Sequence, residues 1–149
     1  PDVFRVQLRA LARAAALGAL KIMLPMVTAP QELEQARALL DEVVAELSAE
    51  GADCARPALG IMVEVPAAAM AVERFDAAFF SIGSNDLTQY ATAASRDGSE
   101  VAGHADVLHP GVLAMIGHVA RHGAASGLEV SLCGDAGGDP RSIAALVRA

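Results

Sequence analysis

The chain has 149 residues, enough for one domain with its own core, and 54% of them are apolar, which excludes an intrinsically disordered segment. Its formal net charge of −7 disfavours nucleic acid and acidic membrane surfaces as partners. No apolar run approaches the roughly 20 residues of a membrane span, and the two cysteines stand far apart, so we expect a reduced, cytoplasmic protein with no membrane partner.

Helical and strand patterns alternate along the chain. Apolar periodicity, with Pro or Gly near several ends, predicts helices at 2–18, 28–51, 66–75, 109–127 and 139–149. The apolar runs between them predict four strands, at 19–27, 58–65, 76–83 and 127–134. The stretch 85–108 is expected to be mostly irregular, with weak helical character near Leu87.

The strands are unbroken apolar runs, which is typical of parallel strands covered by helices on both faces. The fold class is therefore α/β with about four parallel strands. This alternation suits either an open doubly wound sheet or part of an eight-stranded barrel. Because the chain starts at Pro1 and stops inside a helical pattern, we expect a piece truncated at both ends.

Polar side chains stand where three of these strands finish. Glu64 follows GIMV, Asn85 and Asp86 follow FFSIGS, and Cys133 follows EVSL. Because the carboxyl ends of parallel strands face one common surface, these groups are expected to lie near each other. Two carboxylates with no His or Cys close by in sequence make an oxygen-rich site that suits Mg²⁺.

Each of these residues also has a purely structural interpretation. Glu64 could be a solvated charge or the partner of an arginine, and Asn85-Asp86 is a common helix N-cap pair. Arg96 in ASRDG is by default a surface arginine, and Cys133 is by default a small buried apolar residue. These alternatives stay open on composition and spacing alone.

Several blocks of the sequence together resemble a known family. IMLPMV, GIMVEVPAAA, FFSIGSNDLTQY, SRD, HPGVL and LCGDAGGD are similar, in order and spacing, to the phosphoenolpyruvate-binding domain of enzyme I of the bacterial phosphotransferase system. That domain occurs alone or within fused multiphosphoryl transfer proteins, and the resemblance covers nearly the whole chain. CGDAGGDP leans toward the related pyruvate phosphate dikinase and phosphoenolpyruvate synthase, whereas TQY and MVEVPAAA lean toward enzyme I.

The resemblance implies a partial (β/α)₈ TIM barrel and a role for each strand-end residue. Glu64 and Asp86 would be ligands of Mg²⁺, and Asn85 and Arg96 would contact the phosphate of phosphoenolpyruvate. Cys133 would deliver a proton to the methylene carbon of the enolate. The phosphoryl group would pass to a histidine in a separate phosphohistidine domain, which nothing in this chain resembles.

By the same resemblance, the chain is one partial barrel domain without the phosphohistidine domain and without the first and last barrel strands. Its partners would be phosphoenolpyruvate, pyruvate, the phosphohistidine domain and a histidine-containing carrier protein. We expect the isolated piece to lack phosphoryl transfer and, because its sheet edges are unpaired, to form a homodimer. Two alternatives remain: a Mg²⁺-dependent lyase or aldolase of the phosphoenolpyruvate/pyruvate type, and a non-catalytic oligomerisation or ligand-sensing module.

Overall fold

The computed structural model describes residues 2–94 and 106–149, in which each strand is followed by a helix and the third strand by two. The elements are α1 (Asp2–Ala15), β1 (Lys21–Leu24), α2 (Pro30–Ala49), β2 (Ala58–Val63), α3 (Pro66–Met70), β3 (Phe79–Gly83), α4 (Ser84–Thr92), α5 (Pro110–Ser126), β4 (Glu129–Cys133) and α6 (Pro140–Arg148). None of the helices in these ranges is long and apolar enough to cross a membrane.

The strands form one sheet in the order β1-β2-β3-β4, and every neighbouring pair is parallel. This confirms the predicted α/β class with four parallel strands. In the described residues the sheet does not close into a barrel, since β1 and β4 are its two outer strands. The parallel register brings the carboxyl ends of all four strands to one edge.

The sheet is strongly curled. Lys21 on β1 and Glu129 on β4 form an ion pair of 2.5 Å, with the ammonium 5.3 Å from the centre of the Phe79 ring. Two strands separate β1 from β4, so in a flat sheet they would lie about 14 Å apart. The contact therefore requires the curvature of a barrel segment, which is what a partial (β/α)₈ fold needs. Both charged side chains are at least half exposed, so the pair itself stabilises the fold little.

The core lies between the convex face of the sheet and the helices. On α2 the buried residues recur every three or four positions, which places them on one face of the helix: Leu33, Ala36, Leu40, Val43 and Leu47. Strand β3 is buried along its whole length, and the Phe80 ring meets His122 of α5 edge to face at 5.7 Å. Packing on both faces thus fixes the position of β3, an inner strand, and of the residues at its carboxyl end.

One element is more regular than the sequence predicted. Residues 84–92 form the helix α4, in a stretch predicted to be mostly irregular with only weak helical character near Leu87. Short polar residues favour helices weakly because their side chains compete for backbone hydrogen bonds. Here Leu87 and Thr88 are buried, and the Thr88 hydroxyl donates to the Ser84 carbonyl, so tertiary packing stabilises the helix. Helix α1 also ends at Ala15, three residues before the predicted stop at Gly18.

Candidate functional site

The carboxyl ends of β2, β3 and β4 meet where the sequence placed its polar residues. Glu64 directly follows β2, and Asn85 and Asp86 lie in the first turn of α4, which begins where β3 ends. On β4 the last residue, Cys133, pairs in register with Gly83 of β3. The predicted grouping of these residues at one edge therefore agrees with the arrangement of the described elements, while their roles stay predictions.

Glu64 is buried, with 4% of its surface exposed. Its Oε1 accepts a hydrogen bond of 2.7 Å from the backbone N–H of Met26, and it forms no ion pair with a Lys, Arg or His among the described residues. Burial raises the pKa of this carboxyl, the Met26 N–H opposes the rise, and the nearby Asp86 carboxylate adds to it. The alternative of a solvated charge is therefore wrong.

This pKa direction predicts a pH dependence of stability. The Glu64 pKa lies above its ordinary value of 4.5 in the folded chain, so between the two values the folded state binds more protons than the unfolded state. The free energy of unfolding should therefore fall as the pH rises through that window. We expect the stability difference between Glu64→Gln and the parent chain to grow from below pH 4.5 toward neutrality. Urea denaturation of both proteins at a series of pH values measures this stability difference. A difference that stays constant with pH would contradict the raised pKa of Glu64.

The backbone of Met26 holds Glu64 in place. Met26 has a φ of 55°, in the left-handed region that residues other than Gly rarely adopt, and the residue is 46% exposed. Such strain costs on the order of 1 kcal/mol and persists where surrounding contacts enforce it. Sequence reasoning missed this residue, because IMLPMV carries no signal for a left-handed backbone.

Gly83 makes room for the Glu64 carboxylate. A Cβ at this position would lie 2.8 Å from both Cβ and Oε2 of Glu64, and 3.0 Å from the sulfur of Met62. These are closer approaches than packed carbon atoms tolerate. The glycine at the end of β3 is therefore a spatial requirement of the neighbouring carboxylate.

Asn85 and Asp86 do not cap α4. The N-cap is Gly83, without a side-chain hydrogen bond, and both residues lie inside the first turn. Asn85 instead joins the loop after β4: its amide donates to the Asp135 carboxylate at 3.3 Å, and the Asp135 N–H donates to Asn85 Oδ1 at 3.1 Å. Asp86 lies at the positive end of the helix dipole and interacts with Glu64.

Removal of the Asn85 amide should loosen the loop after β4. We expect Asn85→Ala to lower the free energy of unfolding by about 1 kcal/mol, since two partly exposed hydrogen bonds are lost. Gln89→Ala, on the same helix and without a side-chain hydrogen bond to the described residues, should change it by less than about 0.5 kcal/mol. Urea denaturation of the two variants gives the comparison, and equal losses would argue against the loop contact.

Cys133 is half-buried and contacts β3. Its thiol donates to the Ile82 carbonyl at 3.5 Å, and the Ser81 hydroxyl donates to its sulfur at 3.7 Å. The carbonyl of Cys133 accepts a bond of 2.7 Å from Ser84 Oγ. The sulfur is thus fixed by polar contacts, which distinguishes it from a purely apolar core residue. Arg96, expected at the phosphate, lies outside the described residues.

A cavity of about 460 Å³ opens beside Asn85, between α4, the loop after β4 and the start of α6. Neither Glu64 nor Cys133 is among the described residues that line it. The predicted metal ligand Glu64 and the predicted proton donor Cys133 therefore lie outside the lining of this cavity. Asn85, the predicted phosphate contact, lines it.

The donor set fits a magnesium ion. Glu64 is a buried carboxylate that lies beside Asp86 and makes no ion pair with the Lys, Arg and His residues that the structure describes, and such a buried charge is costly unless a cation joins it. The described residues contain no group of three or more His, Cys, Asp or Glu that would form a metal cage on its own. Mg²⁺ needs no such cage, because it binds through one or two carboxylates and completes its shell with water and phosphate oxygens.

Comparison with known proteins identifies the family of the chain. The family model described as "PEP-utilising enzyme, PEP-binding domain" matches residues 1–149. The chain belongs to this family. Its α/β fold with four parallel strands is consistent with part of the barrel of this domain.

Individual members of the family share about two fifths of their aligned residues with the chain. "Phosphoenolpyruvate-dependent phosphotransferase system" from Escherichia coli (strain K12) is 40% identical over an alignment of 153 positions that covers 99% of this chain. "Phosphoenolpyruvate-protein phosphotransferase" from Streptococcus equinus is 42% identical over 97% of the chain, and "Multiphosphoryl transfer protein" from Rhodobacter capsulatus is 44% identical over 97%. The chain spans only 20%, 26% and 17% of these three relatives, respectively.

Proposed function

We propose that this chain is the phosphoenolpyruvate-binding part of a phosphoenolpyruvate-protein phosphotransferase, enzyme I of a bacterial phosphotransferase system. The observation that carries the proposal is the buried Glu64 beside Asp86 at the strand ends of a family member. The relatives named above support the phosphotransferase over the dikinase, synthase and lyase alternatives, since each carries a phosphotransferase or multiphosphoryl transfer name.

In this proposal the strand-end residues have two roles, metal binding and phosphate binding. Glu64 and Asp86 hold Mg²⁺, which when bound neutralises charge on the phosphate and on the enolate oxygen that forms. Asn85, oriented by Asp135, and Arg96 contact the phosphate, where a planar guanidinium can bond two oxygens at once. In this proposal the two carboxylates bind the metal, and the Asn85 amide and the Arg96 guanidinium bind the phosphate of the ligand.

The reaction proposed for the parent protein transfers a phosphoryl group. The bond between phosphorus and the enol oxygen breaks while a bond from phosphorus to a histidine nitrogen forms, in an in-line displacement. The pyruvate enolate left behind takes a proton at its methylene carbon from the Cys133 thiol. The resulting thiolate regains a proton from water, so the site returns to its starting state.

The accepting histidine belongs to a phosphohistidine domain outside this chain, which then phosphorylates a histidine-containing carrier protein in the cytoplasm. This would be the first step of sugar uptake by the system. The chain alone is proposed to bind phosphoenolpyruvate and not to transfer its phosphate. A homodimer is proposed because both outer strands leave sheet edges unpaired in the described residues. A clean monomer in light scattering at micromolar concentration would exclude it.

Calorimetric titration with phosphoenolpyruvate, with and without Mg²⁺, tests the binding function. Heat of binding that requires Mg²⁺ supports the site at the strand ends. Binding that is equal in the absence of Mg²⁺ contradicts the carboxylate roles. No binding at millimolar phosphoenolpyruvate would mean that this chain does not form the site without the rest of its parent.

A further inference from the structure

The loop from β1 to α2 is fixed at one end by the site at the strand ends. The Met26 N–H donates to Glu64 there, at 2.7 Å, from a backbone with a φ of 55°. The next residue, Val27, is 3% exposed and belongs to the core. A left-handed backbone at a residue other than Gly persists only where neighbouring contacts enforce it. The bond to Glu64 and the burial of Val27 are two such contacts, and the side of the loop that enters α2 supplies a third.

Glu32, in the first turn of α2, holds this other end of the loop. Its Oε2 accepts hydrogen bonds from the Thr28 N–H at 2.6 Å, from the Thr28 hydroxyl at 2.9 Å and from the Ala29 N–H at 2.8 Å. These bonds, the Thr28 N–H foremost, lower the pKa of the Glu32 carboxyl below its ordinary value of 4.5, so it is charged at neutral pH. Hydrogen bonds to a charged acceptor are stronger than those to a neutral one. The three donors therefore fix the backbone shortly after Met26.

We propose that Glu32 is a positioning residue for Glu64. It fixes the backbone at 28–29 and, through it, the direction of the Met26 N–H. Only the buried Val27 separates the two bonded stretches, so few torsions are left through which the loop could relax. Without Glu32 the left-handed backbone of Met26 returns to an ordinary conformation, which turns its N–H away from the carboxylate. The consequence for Mg²⁺ and phosphoenolpyruvate rests on the proposed function, whereas the direction of this N–H is a property of the free chain.

Amide hydrogen exchange of the ligand-free chain, measured by NMR, tests the positioning directly. In the parent chain the Met26 amide should exchange slowly, because its hydrogen is bonded to a buried carboxylate. Glu32→Ala should speed its exchange about tenfold more than that of the β2 amides, which report opening of the whole domain. Glu32→Gln keeps an acceptor oxygen without the charge and should recover part of the protection.

Two further variants separate positioning from a general weakening of α2. Ala38→Gly is the matched control: Ala38 is exposed, about two turns beyond the loop, and glycine there costs about 0.5–1 kcal/mol, much as loss of a capping group does. It should not speed the exchange of Met26 by more than that of β2. Thr28→Val removes the hydroxyl donor and keeps the N–H, so it should give a smaller selective rise at Met26. This variant replaces Glu32→Ala if the latter is unfolded.

Calorimetric titration of the same proteins with Mg²⁺ and phosphoenolpyruvate gives the functional readout. Glu32→Ala should weaken Mg²⁺-dependent binding about tenfold, as other groups that orient metal ligands do, and Ala38→Gly should bind like the parent.

Equal acceleration at Met26 and β2 in Glu32→Ala, or a selective rise at Met26 in Ala38→Gly, would overturn the inference. Unchanged binding in Glu32→Ala, where the parent binds, would also overturn it. If the parent itself does not bind phosphoenolpyruvate, the proposed function of this chain is refuted, while a selective rise at Met26 still supports the hold of Glu32 on the loop.

Discussion

Glu64→Gln should abolish the Mg²⁺-dependent binding of phosphoenolpyruvate and, at neutral pH, make the ligand-free chain more stable. The glutamine keeps an oxygen that accepts the Met26 N–H, so the local backbone has no reason to move. It removes the charge on which the proposed metal site depends, and loss of affinity on the order of 100-fold or more is expected, since even supporting groups around metal ligands are worth 10- to 100-fold. Stability rises because a buried charge beside Asp86 disappears.

Calorimetric titration and urea denaturation of the same variant give the two readouts. Glu34→Gln is the matched control, because Glu34 is an exposed carboxylate on α2, far in sequence from the strand ends. Glu34→Gln should leave both the affinity for phosphoenolpyruvate with Mg²⁺ and the free energy of unfolding unchanged. Retained binding in Glu64→Gln would remove Glu64 from the metal site, and a loss of stability would mean that its charge is compensated in the ligand-free chain.

Gly83→Ala should damage the fold and the site together. The added methyl group would overlap Cβ and Oε2 of Glu64, and a buried strand between two neighbours has little freedom to shift. Overpacking of this kind costs about 1–3 kcal/mol. The carboxylate must then rotate away from its bond with Met26, so Mg²⁺-dependent binding should weaken at least tenfold, by analogy with disturbed metal shells.

The control for this change is Gly18→Ala, at a glycine where a Cβ would meet nothing within 4 Å. It should be neutral or slightly stabilising, because alanine restricts the unfolded chain. Urea denaturation and calorimetric titration again provide both readouts. If Gly83→Ala were as well tolerated as Gly18→Ala, the space beside Glu64 would be adaptable and the steric argument would be wrong.

The architecture could be predicted because the signals for it are local and repeated. Each strand is an apolar run and each long helix has an apolar face, as the spacing from Leu33 to Leu47 in α2 illustrates. The strand-end positions of Glu64, Asn85, Asp86 and Cys133 followed from the same reasoning, since parallel strands present their carboxyl ends at one edge. The boundaries were less accurate, as α1 shows, because helix ends depend on contacts that composition does not encode.

The helical state of Ser84–Thr92 could not be predicted in the same way. The sequence predicts only weak helical character near Leu87, because Ser, Asn, Asp and Thr have low helix propensity, and the decisive contribution is the burial of Leu87 and Thr88 against the rest of the domain. This burial also changes the interpretation of Asn85, which resembles a cap in sequence but bonds a loop that follows fifty residues later. The contact crosses from β3 to β4, so no local pattern could have revealed it.

The order of amino acids was thus sufficient for the fold class, the parallel sheet and the edge at which a site would form, because hydrophobic periodicity and strand direction determine all three. It was not sufficient for the state of the site. The burial of Glu64, the left-handed backbone of Met26, the space reserved at Gly83 and the bond from Ser81 to Cys133 depend on contacts between residues distant in sequence. These contacts exist only once the strands are paired in register and the sheet is curled, so only the folded chain defines them.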